Sequence, residues 1–162
     1  NRAKEQVKNV SEVVREGIQD VRGSLNRLRP GALEGRTLKD ALEKTIREYQ
    51  ILSNLQVDLN YEWVDVDMDV MIEDTIFRVI QESMTNAVRH GHASQLRLHF
   101  FEDKENYLIA LQDNGVGFET LTYGYGLKQM MERISILGGQ LQFESSDGFF
   151  TRVSLPKYQE GR

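Results

Sequence analysis

Apolar residues recur in alternating steps of three and four from Val7 to Leu28: Val7, Val10, Val14, Ile18, Val21, Leu25 and Leu28. That rhythm predicts one long amphipathic helix with the seam of a helical hairpin or coiled coil. Pro30 and Gly31 stop it. A helix packed on its own domain would show a similar stripe. Half of a dimerisation bundle is the sharper reading, because a self-contained α/β pattern follows and no strand pattern lies beside it.

Thr37 can cap a second helix, with Asp40 three residues on in a variant of the capping box. Leu38, Ala41, Leu42, Ile46, Tyr49 and Leu52 are predicted as its inner face. Val57, Leu59, Tyr61 and Trp63 then alternate with Asp58, Asn60 and Glu62, the period of a half-buried strand. A helix from about Asp74 to Arg89 buries Ile76, Phe77, Ile80, Met84, Ala87 and Val88. Two strands near 95–101 and 107–113 form a hairpin across a polar turn. A loop from Gly115 to Gly126 leads to a helix with Leu127, Met130, Met131, Ile134 and Leu137 on one face, ended by Gly138 and Gly139. A last hairpin near 141–144 and 150–155 completes the pattern. The expected fold is α/β: a two-layer sandwich of a mixed sheet with helices on one face, preceded by the N-terminal helix. The expected division is 1–30 for that helix and 31–162 for the α/β domain.

A length of 162 residues suits one small domain with a helical appendage. The net charge of -5 argues against a surface built mainly for nucleic acid. With no cysteine there is neither a disulfide framework nor a thiolate metal site. No apolar run is long enough to cross a bilayer, and the first residues do not form a signal peptide. A cytoplasmic location is expected, compatible with the cytoplasmic part of a membrane-bound sensor.

Three constellations carry candidate chemistry. Glu82, Asn86 and His90 are four residues apart on the third predicted helix, which aligns them in one stripe. A carboxylate can orient a nucleophile or take its proton, and an amide oxygen can ligate Mg²⁺. Polar residues at this spacing also make an ordinary solvated helix face. Next, Asp113 ends an apolar strand and is followed by Asn114, Gly115, Val116, Gly117 and Phe118. Its carboxylate can accept a hydrogen bond from an exocyclic amine such as that of adenine. Gly115 and Gly117 allow close backbone approach to a flat ring, although an Asn-Gly turn is the plainer reading. Last, Gly124-Tyr125-Gly126-Leu127 opens a helix, where free N–H groups and the helix dipole favour phosphate. A flexible loop with a helix start would look the same.

The order and spacing of the three resemble the nucleotide-binding fold shared by histidine kinases, gyrase-type ATPases, Hsp90 and MutL, over about Leu52 to Pro156. Gln81 to His90 is similar to the asparagine box of histidine kinases that pair with helix-turn-helix response regulators. Gly126 to Arg133 is similar to that subfamily's second glycine box, with Gln129 in place of a glycine and Met131 in place of an arginine. The stretch from Val21 to Pro30 resembles the end of the second helix of its dimerisation hairpin. The resemblance implies ATP and Mg²⁺ as cofactors. Asp113 would bind the adenine amine and Asn86 would ligate Mg²⁺. Glu82 would position or activate an attacking histidine. Gly115 and Gly117 would shape the adenine wall; Gly124, Gly126 and Leu127 would border the phosphates. Thr151 would lie near adenine, and Arg89 and His90 near the phosphate tail. Implied partners are a histidine-bearing dimerisation helix, a helix-turn-helix response regulator and a second copy of the parent chain.

The subfamily carries a phosphoacceptor histidine followed by an acidic residue. The histidines here, His90, His92 and His99, are followed by Gly91, Ala93 and Phe100. The expectation is therefore a catalytic piece acting on a histidine outside this chain. An anti-sigma-type serine kinase shares the fold, and a non-catalytic nucleotide-binding module is a third reading. The hairpin-like first helix favours the histidine kinase over the serine kinase, and the presence of both Glu82 and Asn86 weighs against the inactive module.

Overall fold

The computed structural model describes Arg2, Ala3 and Gln6, and residues 33–63, 68–117, 125–145 and 147–157. The seam expected from Val7 to Leu28 lies outside the described residues, as does Gly124. The chain divides into two compact units, Asn1–Arg36 and Thr37–Arg162. The candidate chemistry lies in the second.

Helix α1 (Leu38–Leu52) is capped by Thr37, whose hydroxyl oxygen accepts the Asp40 N–H at 3.2 Å. Leu38, Ala41, Leu42 and Ile46 are buried. Leu52, expected on that face, is 87% exposed. The last turn runs past the core and ends at Ser53, whose N–H and hydroxyl both donate to the Tyr49 carbonyl.

Five strands follow: β1 (Gln56–Tyr61), β2 (Gln95–Glu102), β3 (Asn106–Asp113), β4 (Gln140–Ser145) and β5 (Phe149–Pro156). Their order is β1-β2-β3-β5-β4. β1 pairs with β2 in parallel and every other pairing is antiparallel, so the sheet is mixed. A parallel pair needs a long crossover, and helix α2 (Val70–Arg89) lies within it. Burial alternates along β2, β3 and β5, which leaves one face of each strand in the core. Trp63 follows β1 but is buried. Its ring meets Phe100 edge-on at 4.9 Å and Tyr107 at 5.0 Å, and its indole N–H donates to the Phe101 carbonyl.

α2 begins four residues before the expected Asp74. Asp69 caps it, its carboxylate accepting the Met71 N–H at 2.8 Å. Val70 and Met71 are about half exposed, so the first turn has no apolar periodicity to reveal it. Farther along, Ile72, Ile76, Phe77, Val79, Ile80, Met84 and Ala87 are buried. Complete burial of one such large side chain contributes roughly 1.5–3 kcal/mol.

Helix α3 (Tyr125–Ile136) buries Met130 and Ile134, with Leu137 just beyond it. Met131, expected on the same face, is 38% exposed, because the step from Met130 to Met131 turns it away from the core. Gly138 adopts φ +72, and the Gly139 N–H returns to the Ile134 carbonyl at 2.9 Å. This left-handed end matches the expected glycine stop.

Candidate functional site

On α2 the stripe Glu82, Asn86, His90 continues toward the helix start through Arg78 and Asp74, four residues apart throughout. Only the later three were singled out by sequence. Glu82 and Asn86 are half-buried, whereas Arg89 and His90 are exposed. The His90 N–H closes the helix on the Asn86 carbonyl at 3.0 Å. Burial lowers the pKa of the Arg78 guanidinium, and Arg133 of α3 adds to this, with Asp74 opposing both. The presence of Arg133 among its neighbours sets α3 beside the stripe.

The start of α3 lies against the same stripe. A Cβ at Gly126 would collide with the Glu82 carboxylate. Glycine there lets the acidic group reach the first helical turn, and Leu127 follows half-buried. Gly126 thus has a role that its sequence pattern did not reveal, since the Glu82 contact joins residues more than forty positions apart.

Asp113 ends β3 with only 6% of its surface exposed. Its Oδ1 accepts the Gly115 N–H at 2.9 Å and the Phe149 N–H at 3.1 Å. Its Oδ2 has no donor among the described residues. The carboxylate is therefore held through one oxygen, leaving the other as an acceptor.

The glycines around Asp113 join three segments. A Cβ at Gly115 would strike the Gly91 carbonyl, where the Val116 N–H also binds at 2.9 Å. Gly117 has φ +68, and a Cβ there would meet Ser145 and come within 2.9 Å of the Gly148 carbonyl. Gly148, at φ +113, leaves no room for a Cβ beneath the Asp113 carbonyl. The loop after β3 is thereby fitted to the end of α2 on one side and to the β4–β5 turn on the other.

Asn114 is a clamp that sequence reading passed over as part of a turn. Its Oδ1 accepts the Ser94 and Gln95 N–H groups, each at 2.9 Å, and its Nδ2 donates to the Ser94 hydroxyl at 2.9 Å. The signal available was an Asn ahead of glycine, which does not name its partners. Thr151 is 2% exposed on β5, opposite Leu111 of β3 and Phe143 of β4. Like Asp113, it sits at a buried position of the sheet.

Among the described residues, no group of three or more His, Asp or Glu side chains is placed to hold a metal. No described helix is long and apolar enough to cross a membrane.

Residues 71–159 match the family model described as histidine kinase-, DNA gyrase B-, and HSP90-like ATPase. The signal transduction histidine-protein kinase/phosphatase UhpB of Salmonella typhimurium is 35% identical over 87% of this chain and 29% of its own length. The sensor histidine kinase YxjM of Bacillus subtilis is 32% identical over 93% of this chain and 37% of its own. The chain thus spans less than half the length of either relative. In fold, it is similar to the histidine kinase domain of the Erythrobacter litoralis EL346 blue-light activated histidine kinase. That match has a TM-score of 0.64 at 18% identity and covers 74% of this chain and 61% of the other. Strands β2 to β5, the polar stripe on α2 and the glycine-lined end of β3 all fall within the matched family region, and the chain belongs to the histidine kinase-, DNA gyrase B- and HSP90-like ATPase family, as a catalytic ATP-binding domain of the histidine-kinase kind.

Proposed function

We propose that this domain binds Mg-ATP and transfers its γ-phosphoryl group to a histidine outside this chain, in a two-component sensor kinase. The observation that carries the reading is the contact between Glu82 and the first turn of α3. It joins an acid–base group to a helix start suited to phosphate.

Adenine recognition falls to Asp113. Oδ1 is engaged by two backbone N–H groups, and Oδ2 can accept from the exocyclic amine. Gly115 and Gly117 keep the wall of that subsite to bare backbone, with Thr151 beneath it. Gly124, Gly126 and Leu127 border the phosphates; Arg89 and His90 lie toward their outer end. Asn86 contributes one amide oxygen to Mg²⁺. No acidic cage exists among the described residues, so most other ligands would come from phosphate oxygens and water. When bound, the ion neutralises charge on the phosphates.

In the transfer, a ring nitrogen of the incoming histidine bonds to the γ-phosphorus. The bond from that phosphorus to the bridging oxygen breaks, and ADP departs. Glu82 accepts a hydrogen bond from the other ring N–H and holds the imidazole in line. Most of the rate gain comes from position and charge, since phosphoryl transfer needs little covalent help from the protein. The proposed partners are a histidine-bearing dimerisation helix, a helix-turn-helix response regulator and a second copy of the parent chain, with the domain in the cytoplasm.

The test is incubation of γ-labelled ATP with this chain, alone and with a folded histidine-bearing dimerisation segment. Acid-labile label on the added segment alone is expected. No label on a cognate segment at high protein concentration would overturn the proposal.

A further inference from the structure

We infer that Glu82 and the nucleotide's phosphate compete for the first turn of α3, so that nucleotide binding releases the carboxylate toward the incoming histidine. This rests on the nucleotide-binding reading above and adds a regulatory step to it. In the observed conformation the Glu82 carboxylate occupies the space that a Cβ on Gly126 would take, so any side chain there would require the carboxylate to move. Gly126 is the second residue of a 12-residue helix. The field there is that of a helix N-terminus, which stabilises a carboxylate as it does a phosphate.

The two anions cannot share that position without repulsion. Phosphate carries more charge and more acceptor oxygens, so it displaces the carboxylate when adenine binding brings it within reach. Glu82 is anchored on a rigid helix and can move only by rotating its side-chain torsions. Once off α3 it remains on the stripe with Asn86. The carboxylate is thus sequestered until a phosphate arrives.

This arrangement makes three predictions about Glu82→Gln in the full chain. First, ADP binds about two- to fivefold more tightly, because a neutral amide competes less for the helix start. Second, adenosine, which has no phosphate, binds as it does to the unchanged protein. Third, without nucleotide, the backbone amides of the first turn of α3 exchange hydrogen several-fold faster, and ADP restores their protection. Simple repulsion between Glu82 and phosphate would give the first effect but not the third. The contact is tested separately by thermal unfolding without nucleotide. Gly126→Ala should be less favourable to Tm in the unchanged protein than in a Glu82→Ala background, where the helix-forming advantage of alanine is no longer opposed by displacement of the carboxylate.

Unchanged or weaker ADP binding by Glu82→Gln overturns the inference. So does unchanged amide exchange without nucleotide, tighter adenosine binding, or an equal Gly126→Ala effect in both backgrounds. Failure of the unchanged protein to bind ADP is a different result: it removes the nucleotide reading, and this inference with it.

Discussion

The Oδ1 atom of Asp113 accepts the Phe149 N–H across the end of the sheet, tying β3 to the first residue of β5. The same oxygen holds the Gly115 N–H. Asp113 is therefore both a structural acceptor and the proposed adenine acceptor, and two substitutions separate these roles. Asp113→Asn retains an oxygen for the two backbone donors but sets an amide N–H₂ against the adenine amine. ADP affinity should fall tenfold or more, on the order of 1.4 kcal/mol, with little change in Tm. Asp113→Ala should also lose about 2 kcal/mol of stability, because it strands two part-buried donors. Calorimetry and urea unfolding on both variants check the separation. Equal stability loss in the two would contradict it.

Asn86→Ala should abolish the dependence of ATP affinity on Mg²⁺ and stop transfer, while ATP without the ion binds as before. The amide is a neutral oxygen ligand, so its loss removes coordination without changing the charge of α2. Titrating Mg²⁺ at fixed ATP provides the readout. A Mg²⁺ response equal to that of the unchanged protein would remove Asn86 from the ion's shell.

Asn114→Ala removes three side-chain hydrogen bonds to Ser94 and Gln95. The bonds are exposed and water can replace them in part, so the expected cost is about 1 kcal/mol. Asn114→Asp keeps the two backbone bonds through an oxygen and should cost less. Chemical denaturation of both distinguishes a clamp from a passive turn residue.

The β2–β3 turn should weaken in acid. Asp103 accepts the Glu105 and Asn106 N–H groups at 2.8 and 2.7 Å, which lowers its pKa below the ordinary aspartate value. A lowered folded pKa means the contribution is complete above the unfolded value of about 3.9. It fades as pH falls through the folded value. In an acid titration followed by NMR, the Glu105 and Asn106 amides should move with a midpoint below that of an unstructured aspartate. A midpoint at or above it would contradict this.

The strands were legible because β2, β3 and β5 each bury one face, so alternation survives in their sequences. The stripe on α2 was legible because helical spacing is local: Glu82 and Asn86 are aligned whatever packs beside them. Other features depend on long-range approach. Gly148 reads as a turn glycine, but its need to be glycine comes from the Asp113 carbonyl, thirty-five residues earlier. Nothing near Asn114 announces Ser94 and Gln95. Met131 misled because an apolar residue one step off the inner face looks the same in sequence as one on it, and Leu52 because its helix runs on past the core that the earlier turns pack against.

The fit of Gly148 under Asp113 bears on how such domains can be recombined. A chimera that exchanged the last hairpin with a relative's would keep the proposed adenine-site residues Asp113, Gly115 and Gly117 in place. It would nevertheless replace the Phe149 N–H, the bare Gly148 backbone and the Ser145 hydroxyl that meet those residues. The inheritable module is therefore discontinuous: β3 with its glycine loop and the β4–β5 turn form one cassette, and a recombination breakpoint between them divides it.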